Sequence, residues 1–162
     1  MAKDILDNTP LHYATNKEVA KLLLEHKADV GARNKSGKNS LHTAALHGRL
    51  EVARLLLQQK ADVLARDENG WTPLHFAAQN GNVDIATALL EKGAKVDART
   101  ADGGTPLHTA AYEGKTDIAA LLIARGADIS AAKADGMTPL RLAALGNHAA
   151  VFTLLKRSGA KK

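Results

Sequence analysis

The sequence predicts an all-α solenoid of about five stacked helix-turn-helix units, and two repeating patterns support this prediction. The first is a tetrapeptide, Thr-Pro-Leu-His or a near copy of it, whose last four copies lie 33 residues apart. The copies begin at Thr9, Asn39, Thr72, Thr105 and Thr138. After each copy, apolar residues recur at i, i+3 and i+4, as on one face of a helix. Because a unit this short cannot bury its apolar face alone, neighbouring units are expected to stack.

The third copy of the motif shows how each unit is expected to fold. Gly70 can take the positive φ that a tight turn requires. Thr72 can cap the first helix, and Pro73 suits the first helical position, where no backbone donor is needed. Gly81 breaks this helix, and Gly93 ends the second one in a left-handed conformation. Each unit is therefore predicted to contain a turn, a first helix and a second helix.

The second helix of each unit carries a narrow apolar face. In successive units the residues of this face are Val19, Leu22 and Leu23; Val52, Leu55 and Leu56; Ile85, Ala88 and Leu89; Ile118, Leu121 and Leu122; and Val151, Leu154 and Leu155. Lys27 and Lys60 stand where the third unit has its final glycine. A side chain in the left-handed conformation costs about 1 kcal/mol. The first two units are therefore predicted to be the less stable ones.

The two ends of the chain depart from the pattern. The first unit lacks three residues equivalent to Ala45, Leu46 and His47, so its first helix is predicted to end about one turn early. The chain begins within a turn and without a polar capping helix, which favours a fragment of a longer array or an unusual native start. At the other end, Arg141 replaces the motif histidine and Lys156 replaces an apolar residue. Such polar replacements suit a terminal unit that faces water.

The 33-residue period and the motif resemble those of the ankyrin repeat, a unit of one β-turn and two helices. The resemblance covers essentially all 162 residues. It implies one domain, residues 1–162, whose units are joined by β-hairpin-like turns and serve as a binding scaffold. The units are approximately residues 4–33, which is shortened, 34–66, 67–99, 100–132 and 133–162. An engineered scaffold is an alternative, disfavoured by the irregular first unit and by Lys27 and Lys60.

The composition narrows the classes of function. The chain has no cysteine, which excludes disulfides, thiolate nucleophiles and sulfur-ligated zinc sites. No run approaches the roughly 18 apolar residues of a membrane span, and the first residues lack the apolar core of a signal peptide, which favours a cytoplasmic location. The net charge is +5, but basic ends flank an acidic middle with 10 Asp and Glu against 6 Lys and Arg in residues 67–136. This distribution lacks the single basic stripe of a nucleic-acid-binding protein.

Four histidines at the same motif position raise the question of a metal site. They are His12, His42, His75 and His108. Packed helices lie about 8 to 10 Å apart, too far for two histidines of neighbouring units to bind one zinc ion. The resemblance implies instead that these side chains form hydrogen bonds between loops. The sequence also contains no nucleophile elbow, phosphate-binding loop or His-Glu-x-x-His motif. We therefore predict no enzyme, no cofactor and no metal.

The resemblance implies that a partner binds along the concave face, through turn tips and the ends of the first helices. Transferred residue by residue, the candidate contacts are Trp71, Tyr112, Glu68, Asn69, Gln79, Asn80, Lys38, His47, Leu46, Asp102, Glu113, Asp135 and Met137. Trp71 precedes a helix cap, where the packing pattern does not require an apolar residue. It is interpreted as a binding hot spot. The alternative is that it lies flat over a neighbouring turn and only rigidifies it.

The acidic residues on this face favour a protein or peptide partner with a cationic segment. An Arg or Lys of that segment is expected to stack on Trp71, although the charges could equally serve only to keep the face soluble. Another alternative is a reader of a small ligand, a methylated lysine or an oligonucleotide through Trp71 and Tyr112, with Glu113 beside them.

Two further expectations concern packing and association. Tyr13 and Phe76 follow the motif histidine and are predicted to lie in the core. We expect a monomer, with the open N-terminal face near Ile5 and Leu6 as the place where copies would associate.

Overall fold

The computed structural model describes residues 3–161, which form ten helices paired into five units. The helices are α1 Pro10–Tyr13, α2 Lys17–Glu25, α3 Ser40–Leu46, α4 Leu50–Gln58, α5 Pro73–Asn80, α6 Val83–Glu91, α7 Pro106–Tyr112, α8 Thr116–Ala124, α9 Pro139–Leu145 and α10 Ala149–Arg157. Residues 3–161 contain no strand. The predicted all-α architecture of stacked helix pairs is confirmed. No helix in this part of the chain is long and apolar enough to cross a membrane.

The helices form two layers. The first helices of the units pack on one another in chain order, as α3 does between α1 and α5, and the second helices form a parallel row in which α4 lies between α2 and α6. Each motif contributes one leucine to the core between the layers. These leucines are Leu11, Leu41, Leu74, Leu107 and Leu140, and all five are buried. Alanines fill most other positions between the first helices, so these helices can approach closely.

The motif histidines connect each first helix to the next turn. In the third unit, the Thr72 backbone N–H donates to Nδ1 of His75 over 3.2 Å, so Nδ1 carries no proton. The proton therefore sits on Nε2, which donates to the Gly104 carbonyl over 3.3 Å. Three other units have the same contact from the histidine Nε2 to a backbone carbonyl: His12 to Lys38 over 3.0 Å, His42 to Trp71 over 3.2 Å and His108 to Met137 over 3.1 Å. The expected role of these histidines as links between loops is confirmed.

The turns form a second set of links between units. One backbone hydrogen bond of 2.9 to 3.0 Å joins each turn to the next. The donor and acceptor pairs are Lys35 to Leu6, Glu68 to Ser36, Ala101 to Asn69, and Ala134 to Asp102. These bonds join the turns that carry the candidate contacts into one continuous row. Among the turns in residues 3–161, the last one, with Asp135 and Met137, is bonded only to the turn before it.

The first unit differs from the others in two ways. Helix α1 has four residues against seven in α3, which confirms the early end predicted from the missing residues. The prediction that Tyr13 lies in the core is wrong, because its side chain is 57% exposed whereas Phe76 at the equivalent position is 6% exposed. The shortened α1 leaves Tyr13 at the edge of the stack. There its hydroxyl donates to Oδ2 of Asp4 over 2.6 Å.

The apolar face of α2 is open on one side. Val19 and Leu22 are 42% and 56% exposed, whereas the equivalent Val52 and Leu55 of α4 are 2% and 8% exposed. Helix α4 is covered by α2 on one side and α6 on the other, while α2 packs mainly on α1 and α4. The sequence pattern identifies the same apolar face on α2 and on α4. Whether that face is buried depends on how the units stack.

Replacing Lys27 and Lys60 by glycine is expected to stabilise the protein. Both lysines have positive φ, 62° and 61°, as their positions predict. Glycine adopts this conformation without the steric cost of a side chain, so each change should raise the free energy of unfolding by about 1 kcal/mol. Urea unfolding monitored by circular dichroism measures this gain. Lys92→Gly is the control, because φ at that position is −92°; an equal gain there would contradict the explanation.

Candidate functional site

A cavity of about 330 Å³ lies between the third, fourth and fifth units, on the side of the turns and first helices. We call it the groove pocket. Its lining residues are Trp71, Gln79, Thr100, Asp102, Gly104, His108, Thr109, Tyr112, Glu113, Lys133 and Leu142. Five of these were candidates from the sequence: Trp71, Gln79, Asp102, Tyr112 and Glu113. The fold therefore brings together residues from turns and helix ends that are up to 42 positions apart in the chain.

The other eight candidates lie outside the groove pocket. They are Lys38, Leu46, His47, Glu68, Asn69, Asn80, Asp135 and Met137. Lys38 places its ammonium 4.8 Å from the centre of the Phe76 ring, so its charge is already partly engaged within the chain. Glu68 and Asn69 are exposed in the turn before Trp71, and Asn80 is exposed at the end of α5. Asp135 borders the pocket through its contact with Lys133.

Trp71 is half-buried and held in place from several directions. Its ring centre lies 5.1 Å from that of Phe76 and 5.7 Å from that of His75, both on α5. Its backbone N–H donates to Oδ1 of Asp67 over 2.8 Å, and its carbonyl accepts from His42. The indole therefore has a fixed orientation while it still lines the pocket. A rigid aromatic side chain of this kind loses little conformational entropy when a partner binds.

Tyr112 also lines the pocket and is positioned by the end of α7. It is the last residue of α7 and is 60% exposed. Its carbonyl accepts a hydrogen bond of 2.8 Å from Nε2 of His148, the residue before α10. This bond fixes the end of α7 and therefore the direction in which Tyr112 and the following Glu113 leave the helix. The ring itself has no aromatic partner within residues 3–161.

Gly104 lines the pocket without a side chain. The equivalent positions of the other units hold Asn8, Lys38, Trp71 and Met137. A Cβ atom at residue 104 would lie 2.9 Å from Oγ1 of Thr100 and 3.4 Å from Oδ1 of Asp102, so the space is already narrow there. Glycine therefore leaves room where neighbouring units have bulk.

Lys133 changes the electrostatics predicted from the sequence. Its ammonium lies 2.8 Å from Oδ2 of Asp102 and 3.8 Å from Oδ2 of Asp135. The hydrogen bond from Lys133, with a second from Thr100, holds the pKa of Asp102 well below its usual range. The same contact raises the pKa of Lys133. Asp102 and Asp135 are thus already paired within the chain, whereas Glu113 belongs to none of the ion pairs in residues 3–161.

The sequence contains a signal for Lys133 that was missed. Residue 133 is the repeat equivalent of Asp67, whose carboxylate accepts the backbone N–H groups of Asn69 and Trp71 over 2.9 and 2.8 Å. A lysine cannot accept these bonds. Its ammonium reaches back to the preceding turn instead, where it meets Asp102. The sequence signal for this contact is therefore that Lys133 replaces the acidic or neutral polar residue found at the equivalent position of other units.

The side chains that line the pocket are already constrained by contacts within the chain to different degrees. Both ring nitrogens of His108 are occupied, Nδ1 by Thr105 over 2.9 Å and Nε2 by the Met137 carbonyl, and burial lowers its pKa. The ring is therefore neutral at pH 7 and held in one tautomer. No group of His, Asp and Glu within residues 3–161 is arranged to hold a metal ion. The pocket lining also includes the aromatic side chains of Trp71 and Tyr112, the carboxylate of Glu113, and several side chains that can form hydrogen bonds.

Comparison with known protein families gives a match along the whole stack. A family model described as ankyrin repeats, in three copies, matches residues 2–67, 16–100, 60–133 and 96–162. Together these overlapping matches span residues 2–162 and include every helix of the structure. A search among curated proteins found no significant match.

Proposed function

The chain belongs to the ankyrin-repeat family, whose members are generally protein–protein interaction modules, and on this premise we propose that it binds a partner protein or peptide through the groove pocket. The observation that carries the proposal is that Trp71 and Tyr112 line one cavity of about 330 Å³. Tryptophan and tyrosine are enriched among the residues that dominate binding energy, and such residues lie in pockets near the centre of an interface. The module itself is proposed to have no catalytic activity.

The charges favour a partner with a cationic segment. Glu113 lines the pocket and Glu68 is exposed in the turn before Trp71, and neither belongs to an ion pair within residues 3–161. An Arg or Lys of the partner would pair with Glu113 and stack on Trp71, since aromatic faces attract cations. Complementary charge of this kind mainly sets partner choice and association rate.

A second candidate function is recognition of a small ligand or a modified lysine in the same pocket. It is favoured by the cavity volume, which lies at the lower end of the roughly 300 to 1,000 Å³ typical of ligand sites. Methylated lysines are bound in aromatic cages, and Trp71 and Tyr112 would supply two walls with Glu113 as the counter-charge. Titration with free trimethyllysine, read through the fluorescence of Trp71, distinguishes this candidate from a peptide-binding site.

An affinity pull-down from a lysate of the source organism tests the proposed function. Partners retained by the wild-type chain should be lost with Trp71→Ala/Tyr112→Ala and kept with Arg54→Ala/Gln58→Ala, two exposed residues of α4 in the other layer. Quantitative mass spectrometry of the bound proteins gives the comparison. Circular dichroism must show that both double variants are folded. Partners that bind both variants equally would move the working surface away from the groove pocket.

A further inference from the structure

The groove pocket and the surface beside it are suited to bind two side chains that lie close together in one partner. We propose that the pocket takes a single arginine of the partner, and that an apolar residue about three positions away covers Tyr112 and Leu145. This inference rests on the proposed function and deepens it, because it names the short sequence pattern that the groove recognises.

The acceptors in the pocket favour arginine over lysine. Glu113 offers a carboxylate with no ion pair in residues 3–161. The half-buried Gln79 amide makes no hydrogen bond within the same part of the chain, and the Thr109 hydroxyl has only a long bond of 3.5 Å to the Thr105 carbonyl. Three acceptors thus line the pocket, one on α5, one on α7 and one directly after α7. A guanidinium has five N–H donors in one plane and can pair with a carboxylate through two of them, whereas an ammonium has three donors around one point.

The aromatic walls favour the same side chain. A planar guanidinium stacks on Trp or Tyr faces and is more weakly hydrated than an ammonium, so it loses less solvation on entering a half-buried pocket. Trp71 is held by Phe76 and His75, and therefore presents its ring in one orientation. Gly104 also lines the pocket and adds no side chain to it, whereas the equivalent positions of the other units hold Asn8, Lys38, Trp71 and Met137. The partner's arginine would fill the space that a side chain occupies in the other units.

The net charge around the pocket supports a cation in spite of Lys133. Among the residues that line the pocket, two carboxylates, those of Asp102 and Glu113, stand against one ammonium, that of Lys133. The sum is two negative charges and one positive charge, or −1. Lys133 directs its ammonium to the two aspartates, and the neutral His108 adds no charge. Glu113 is therefore the carboxylate that remains for a ligand.

An apolar ridge lies beside the pocket. Tyr112 and Leu145 are the last residues of α7 and α9, occupy equivalent repeat positions and are 60% and 71% exposed. Helices α7 and α9 pack directly on each other, and Leu142 of α9 lines the pocket. Neighbouring helices are about 8 to 10 Å apart, which an extended peptide spans in about three residues. A partner with an apolar residue at this distance from its arginine would cover the ridge.

The single tryptophan of the chain makes the inference directly testable by NMR. Trp71 gives the only indole N–H resonance of the 15N-labelled full chain. The probe is the capped peptide Ala-Arg-Ala-Ala-Leu-Ala, with matched peptides that carry Lys or Gln for Arg, or Ala for Leu. The Arg peptide should shift the indole resonance saturably and bind about tenfold more tightly than the Gln peptide, as expected for a charge-assisted hydrogen bond. Loss of the leucine should weaken binding several-fold.

Variants of the chain test whether the arginine of the peptide pairs with Glu113. Glu113→Gln should reduce the preference for Arg over Gln about tenfold, while Asp117→Asn on the exposed side of α8 should leave it unchanged. Affinity for the Lys or the Gln peptide equal to that for the Arg peptide, no saturable shift at Trp71, or an effect of Asp117→Asn as large as that of Glu113→Gln would overturn the inference. If the pull-down partner is still lost with Trp71→Ala/Tyr112→Ala in that case, the proposed function survives without the arginine. If it is retained, both fail.

Discussion

Lowering the pH from 7 to 4 is expected to destabilise the protein by several kcal/mol, through two buried motif histidines. His42 and His75 are fully buried, and burial lowers the pKa of each from 6.5 to about 4. Protonation would also cost the hydrogen bond that Nδ1 accepts from the backbone at the helix start. The folded protein therefore binds protons at these two histidines more weakly than the unfolded chain does.

The direction of the effect follows from proton uptake. Between pH 6.5 and 4 the unfolded chain binds more protons at these two positions than the folded protein does, so the free energy of unfolding falls as the pH falls. The full contribution is present above pH 6.5 and is lost as the pH approaches the folded pKa of about 4. A change from 6.5 to about 4 corresponds to about 3 kcal/mol for each histidine.

Urea unfolding at pH 7.0, 6.0, 5.0 and 4.5 measures this dependence. His75→Gln removes one of the two groups and should reduce the slope by up to about 1.4 kcal/mol per pH unit. His47→Gln is the matched control, because His47 lies exposed at the end of α3, and this variant should keep the wild-type slope. A free energy of unfolding that stays constant from pH 7.0 to 4.5 would show that the buried histidines accept protons without cost.

The features of the fold that repeat were predictable from the sequence, because each depends on residues within one unit or at one fixed offset. The helix start at Thr72, the structural role of His75 and the positive φ of Lys60 all follow from local geometry. Tyr13 illustrates where this reasoning fails. It occupies the same repeat position as Phe76, but its burial depends on the length of α1 and on its place at the edge of the stack.

The composition of the groove was only partly predictable for a related reason. Trp71 and Tyr112 stand out because they are rare aromatic residues at positions that the core does not require. The pairing of Lys133 with Asp102 depends on the distance between two turns, and no single unit contains that information. The pocket likewise combines Trp71 of the third unit with Tyr112 of the fourth and Leu142 of the fifth. Properties that depend on contacts between units can therefore be identified only from the stacked structure.

Replacing Trp71 by alanine is expected to weaken binding of a partner identified in the pull-down by 2 kcal/mol or more, about 30-fold. The indole lines the groove pocket and is held there by Phe76 and His75, so its removal takes away a rigid wall as well as contact area. Calorimetric titration of the purified partner with each variant gives the loss in affinity. Because Trp71 also packs on α5, thermal unfolding must show that the variant remains folded at the temperature of the titration.

Two further variants separate a hot spot from a residue that only stiffens its turn. Trp71→Met introduces the residue that stands at this repeat position as Met137, and therefore keeps bulk and turn geometry but removes the aromatic face. Asn8→Ala changes the equivalent position in the first unit, outside the groove pocket, and should alter the affinity less than twofold. A hot spot requires that both Trp71 variants bind weakly. If Trp71→Met binds as tightly as the wild type while Trp71→Ala does not, the residue acts by filling space and ordering the turn. If both bind like the wild type, the partner does not use Trp71, and the binding site lies elsewhere on the stack.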